Sequence, residues 1–114
     1  MTDPRRITPS PGELVIVTLP VELDIASAGA AGEQLAAALT PGTRVVIADM
    51  TATTFCDSMG IGMLVRAHKQ ATAKGTELRL LLQCPDVLRV MTIQGVETVL
   101  PIYHSLEEAL AGPG

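Results

Sequence analysis

The run Val45-Val46-Ile47-Ala48 constrains the fold more than any other stretch of the chain. It is apolar throughout and stands between Pro41-Gly42 and Asp49-Met50-Thr51. It is too short for a core helix and lacks the alternation of a strand with one wet face. It therefore reads as a strand buried in a largely parallel sheet.

The rest of the chain supplies the alternation that such a sheet needs. Glu13 to Leu19 predicts a strand ended by Pro20, with a short extended piece at Val21-Glu22-Leu23. Asp24 and Ser27 are both good N-caps for a helix reaching about Leu39, with Leu35, Ala38 and Leu39 on its core face. Gly29 and Gly32 weaken that helix by roughly 1 kcal/mol each. Thr51 to Asp57 reads as a loop, and Ser58 opens a second helix. Ile61, Leu64, Val65, His68 and Ala71 form its stripe, and Lys74-Gly75 its stop. Glu77 to Leu82 is the next strand. Pro85, after Cys84, occupies the first position of a helix that runs to about Ile93 and ends at Gly95. Glu97 to Leu100 predicts a short strand closed by Pro101. Ser105 and Glu108 form a capping box for the last helix.

Strands alternating with helices predict an α/β fold: a layer of about five mostly parallel strands with about four helices. The first strand is expected at an edge, free to pair antiparallel there. The 114 residues suffice for one domain, expected over 13–111. Residues 1–12, with Pro4, Pro9 and Pro11, are expected to be a flexible arm.

Composition narrows the function. With 8 basic and 12 acidic side chains the net charge is −4, so no basic patch points to nucleic acid. Aromatics at 2% leave no base-stacking platform. No apolar run approaches a membrane span, and the N-terminus lacks the order of a signal peptide, so the cytoplasm is expected. Cys56 and Cys84 have no CxxC spacing, and His68 and His104 complete no zinc pattern. Neither metal nor cofactor is expected, and the thiols read as partly buried fillers in a reducing compartment. Nor is an enzyme expected. Ser58 does not stand in G-x-S-x-G, no phosphate-binding loop occurs, and His68 lies on an apolar stripe.

The most unusual segment is Phe55-Cys56-Asp57-Ser58-Met59-Gly60-Ile61-Gly62. It joins a loop to a helix at the carboxyl end of the strands, where sites form in open α/β sheets. A serine at a helix start sits near unpaired N–H groups and the positive end of the dipole, which stabilise a phosphate. Gly60 and Gly62 let the first turn approach neighbouring backbone. A phosphate on Ser58 would add about −1.5 to −2 charge beside Asp57 and repel a partner packed there. Asp57-Ser58 is also a routine capping pair, in which case Ser58 is only an N-cap. Met50, Met59 and Met63 are either an adaptable contact surface or core filling.

Four pieces together resemble the STAS domain in its stand-alone form, the anti-sigma factor antagonist. Glu22-Leu23-Asp24 is similar to that family's Gly-Glu-Leu-Asp, and Asp49-Met50-Thr51 to its Asp-Leu-Ser. Asp57-Ser58-Met59-Gly60-Ile61-Gly62 is similar to its Asp-Ser-Ser/Thr-Gly-Leu/Ile-Gly. Arg89 to Leu110, with Gly95 and Pro101-Ile102-Tyr103, resembles its closing segment. The resemblance implies partner switching. The unphosphorylated antagonist binds an anti-sigma factor that is itself a serine kinase, and so frees a sigma factor. The kinase phosphorylates the antagonist and ends the complex, and a PP2C-type phosphatase reverses this. Carried over by position, Ser58 is the phosphoacceptor. Asp24, Asp57, Met59, Gly60 and Gly62 belong to the partner surface, and a free monomer is implied. Two departures stand out. Val21 replaces the usual Gly, and Met59 replaces the second hydroxyl residue. The second favours an alternative: a constitutive interaction or ligand-binding STAS subunit of a signalling or transport complex.

Overall fold

A computed structural model describes residues 10–113. Most of the expected arm, residues 1–9, lies outside the described residues. Pro11–Glu13 is a 3-10 turn, and Ser10 N donates to the Glu13 carboxylate at 3.0 Å. Six strands and four helices follow: β1 Leu14–Thr18, β2 Glu22–Leu23, α1 Ala28–Ala38, β3 Val45–Asp49, β4 Phe55–Cys56, α2 Ser58–Ala73, β5 Glu77–Leu81, α3 Pro85–Ile93, β6 Ile102–Tyr103 and α4 Leu106–Ala111.

The strands form two sheets. Four run in the order β1-β3-β5-β6, and β2 pairs with β4 in a separate two-stranded ladder. Every pairing is parallel, including β1 with β3. The first strand thus takes the expected edge, but not with an antiparallel partner. The expected loop over Thr51 to Asp57 is also corrected, because it contains β4. The strand expected over Glu97 to Leu100 is absent. Gly95 turns the chain at φ 73°, and the Val96 carbonyl accepts from Val99 N and Leu100 N. Pairing with β5 begins only at Pro101, whose carbonyl accepts from Leu80 N.

Val45, Val46, Ile47 and Ala48 are all fully buried, as a strand covered on both faces must be. Their alternation divides the core. Val46 and Ala48 pack with residues of α1, α2 and α3, whereas Val45 and Ile47 pack with Leu81 and Ala109 of α4. Three helices therefore cover one face of the main sheet, and α4 covers the other.

That second face carries a residue the sequence pattern concealed. Arg79 is fully buried in β5. Its guanidinium faces both carboxylate oxygens of Glu77, at 3.1 and 3.3 Å. It also donates to the Ala109 and Leu110 carbonyls at 2.7 and 3.2 Å. A cation at the end of α4 satisfies carbonyls that a helix leaves unpaired and complements its dipole. Gly112, at φ 77°, passes so close that a Cβ there would lie 2.6 Å from Arg79 Nη2.

Candidate functional site

The β2–β4 ladder sets the geometry of the site. Its register pairs Glu22 with Phe55 and Leu23 with Cys56, and Asp57 N donates to the Leu23 carbonyl at 3.2 Å. Asp24 and Asp57 are each the residue directly after these paired strands. Both carboxylates are engaged locally. Asp24 Oδ1 accepts from Ala26 N and Ser27 N at 3.0 and 3.2 Å, which ties the turn before α1. Ser27 Oγ donates to the Glu22 carbonyl and accepts from Asp24 N. Asp24 therefore shapes the turn, and Ser27 is the residue before α1, without a side-chain capping bond of its own.

Asp57, not Ser58, caps α2. Its backbone is extended, and its Oδ1 accepts from Met59 N at 2.9 Å and Gly60 N at 3.0 Å. Ser58 is consequently the first helical residue. It is exposed, and its hydroxyl makes no hydrogen bond among the described residues. The reading of Ser58 as an N-cap is thereby corrected.

The two glycines differ. A Cβ on Gly60 would stand 2.5 Å from the Leu23 carbonyl oxygen and 2.9 Å from Cys56 Sγ and Leu23 Cγ. Only glycine lets α2 meet the ladder so closely. A Cβ on Gly62 would meet no neighbouring backbone, only the Arg66 Nη1 atom at 3.3 Å. The expectation of close backbone approach thus holds for Gly60 and not for Gly62.

Burial separates the methionines as well. Met50 and Met63 are core residues, while Met59 is 48% exposed. Met59 lines a groove of about 470 Å³ between α1 and α2, with Ile25, Gly32, Glu33, Met63 and Arg66 among its walls. Ile25 is 74% and Phe55 51% exposed, so apolar side chains stand exposed on both segments that the β2–β4 ladder joins. The motif comparison missed Ile25. Its signal was an isolated apolar residue inside the capping segment Asp24-Ile25-Ala26-Ser27.

Burial pushes the Cys56 thiol up to about 11, with the Asp57 charge adding to the effect, which keeps it protonated and unreactive. His104 Nδ1 lies 3.2 Å from the Leu82 carbonyl, and His68 Nδ1 is buried without a hydrogen-bond partner among the described residues. Neither histidine is hydrogen-bonded to Ser58. Among the described residues, no group of three or more His, Cys, Asp or Glu side chains is placed to hold a metal ion. No described helix is long and apolar enough to cross a membrane.

Solved structures share this architecture. An anti-sigma factor antagonist from Mycobacterium paratuberculosis superposes with a TM-score of 0.78 at 20% identity, over 96% of each chain. The murine anion transporter Slc26a9 contains a similar unit, with a TM-score of 0.77 and 20% identity. The match spans 87% of this chain and 17% of the transporter. The Bacillus cell fate determinant SpoIIAA in its phosphorylated form gives 0.63 at 23% identity, over 87% of this chain and 89% of its own. At such identities the likeness is one of fold. No curated protein matches the sequence significantly. The family model of the STAS domain matches residues 5–109, nearly the whole chain, and the chain belongs to the STAS domain family.

Proposed function

We propose that this protein is an anti-sigma factor antagonist, a cytoplasmic binding switch and not a catalyst. Its unphosphorylated form, free as a monomer, binds an anti-sigma factor that is a serine kinase and so releases a sigma factor. Phosphorylation of Ser58 reverses binding, and a PP2C-type phosphatase restores it. The observation that carries the reading is the exposed, unbonded hydroxyl of Ser58 at the first turn of α2. Asp57 already performs the capping, so the serine has no structural duty there. Ile25 and Met59, exposed walls of one groove, and the exposed Phe55 three residues before the serine offer apolar surface suited to a protein partner. A phosphate adds about −1.5 to −2 charge, which that partner must desolvate. Asp24, Asp57, Met59 and Gly62 make up the rest of the surface, and the buried Gly60 contributes through the close packing that shapes it.

The test is the affinity of the host's anti-sigma kinase for three forms of the chain. Ser58→Ala should bind like wild type, and Ser58→Asp at least about tenfold more weakly, the scale of one uncompensated interfacial charge. Equal binding by Ser58→Asp would remove the switch. Intact-mass analysis of protein from its own host should find phosphate on Ser58.

Met59 favours a second reading. An exposed methionine where the family motif carries a hydroxyl suits a constitutive contact, as in a STAS unit that serves a transport or signalling complex. On that reading Ser58 is never phosphorylated, and Ser58→Asp leaves partner binding unchanged.

A further inference from the structure

We infer that Arg66 is the internal counter-ion for a phosphate on Ser58, an inference that rests on the reading of Ser58 as the phosphoacceptor. The start of α2 is poorly equipped to hold such a group alone. Met59 N and Gly60 N, two of its free donors, are already taken by Asp57 Oδ1, and Asp57 brings a negative charge of its own. A phosphate there needs a cation.

Ser58, Gly62 and Arg66 follow one another at intervals of four along α2 and share one side of it. Long side chains on a helix lean toward its N-terminus. Arg66 does so over Gly62, with its Nη1 atom 3.3 Å from the point a Cβ would occupy. The guanidinium has thus covered one of the two turns that separate Arg66 from Ser58. The remaining turn rises about 6 Å. A phosphate ester on Oγ extends into that gap from one side and the guanidinium swings into it from the other. Arg66 shares the α1–α2 groove with Glu33 but makes no ion pair or hydrogen bond among the described residues, so no contact at ion-pair distance must be given up. Gly62 acquires a role here that its packing does not explain: it leaves the path open.

The test uses the full chain carrying phosphoserine at position 58, titrated by phosphorus NMR at about 0.1 M salt, where the screening length is about 10 Å. A neighbouring guanidinium favours the dianion and holds the phosphate's second ionisation down. Arg66→Gln should therefore raise that ionisation by about 0.15–0.7 pH unit, the range of an exposed ion pair. Arg66→Lys should recover part of the shift. Lys69→Gln removes the same charge about 16 Å along the helix from Ser58, beyond the screening length, and should leave the titration unchanged. An identical titration in Arg66→Gln and wild type overturns the assignment. So does an equal shift in Lys69→Gln, which would mean a diffuse field. Partner binding is scored separately. If phosphoserine fails to weaken it, the switch reading falls. If it weakens binding while the phosphate titrates alike in wild type and Arg66→Gln, only the role of Arg66 falls.

Discussion

Gly60→Ala is the sharpest probe of how the site is built. The new methyl would stand 2.5 Å from the Leu23 carbonyl oxygen and 2.9 Å from Cys56 Sγ and Leu23 Cγ. A carbon and an oxygen in ordinary contact sit well over 3 Å apart, and here the oxygen is backbone fixed in the β2–β4 ladder. Relief requires moving the start of α2 away from β2. Overpacking of this kind costs about 1–3 kcal/mol. Alanine's greater helix propensity offsets up to about 1 kcal/mol. With three contacts under 3 Å, one of them to backbone, the upper part of the overpacking range applies, about 2–3 kcal/mol. The net expectation is a loss of about 1–2 kcal/mol, seen as a lower urea midpoint at unchanged slope. Gly62→Ala provides the contrast. It receives most of the same propensity gain and meets only a flexible arginine tip, so it should raise the midpoint by up to about 1 kcal/mol. If Gly60→Ala is as stable as wild type, the close approach of α2 to β2 is wrong. If both variants stabilise equally, glycine at 60 has no packing cause.

Three further outcomes follow from the same geometry. Asp57→Ala removes the acceptor for Met59 N and Gly60 N and should cost about 0.5–2 kcal/mol, whereas Ser58→Ala should stay within about 0.5 kcal/mol in the same denaturation assay. Arg79→Met leaves the Glu77 carboxylate and the Ala109 and Leu110 carbonyls without their donor, and should destabilise the fold by about 3–5 kcal/mol, with near-ultraviolet changes at Tyr103. Cys56 is held protonated in the fold up to about 11 against an ordinary value of 9.0. The folded state therefore keeps a proton that the unfolded chain releases, and this contribution to stability, full below pH 9, is lost as pH rises through about 11. A thiol reagent at pH 8 should accordingly label Cys84 first and reach Cys56 only on unfolding.

The sequence made the helices legible because period and punctuation agreed. Pro85 at a helix start, and Gly75 and Gly95 with φ of 74° and 73° at helix ends, each stand where their chemistry suggested. The buried strand Val45–Asp49 was equally plain. What escaped was non-local. Phe55–Cys56 is too short to show alternation, and its partner Glu22–Leu23 lies far along the chain. Glu97 to Leu100 has strand-like residues, but a turn centred on the Val96 carbonyl satisfies its amides first. Glu77-Leu78-Arg79-Leu80 alternates like a strand with one wet face, because no local pattern discloses that α4 will cover Arg79. Asp57-Ser58 offered two capping residues side by side, and only the extended backbone of Asp57 separates them. The motif therefore stands at the start of α2, as its residues suggested, while which of the two residues caps that helix required coordinates.

The small size of the β2–β4 ladder bears on how the site breathes. Two residue pairs hold it, against five for each of the β1–β3 and β3–β5 pairings. Segments so lightly tied open at lower free energy than the sheet beside them. The amides of Phe55 and Asp57, bonded to the Val21 and Leu23 carbonyls, should exchange with solvent deuterium well before those of Leu19 and Met50, bonded to the Asp49 and Leu81 carbonyls. Gly60 ties the first turn of α2 to the same ladder, so opening it frees the stretch around Ser58 as a short extended peptide. On the proposed switch reading, a sub-global opening of this kind presents Ser58 to its kinase without unfolding the rest of the protein.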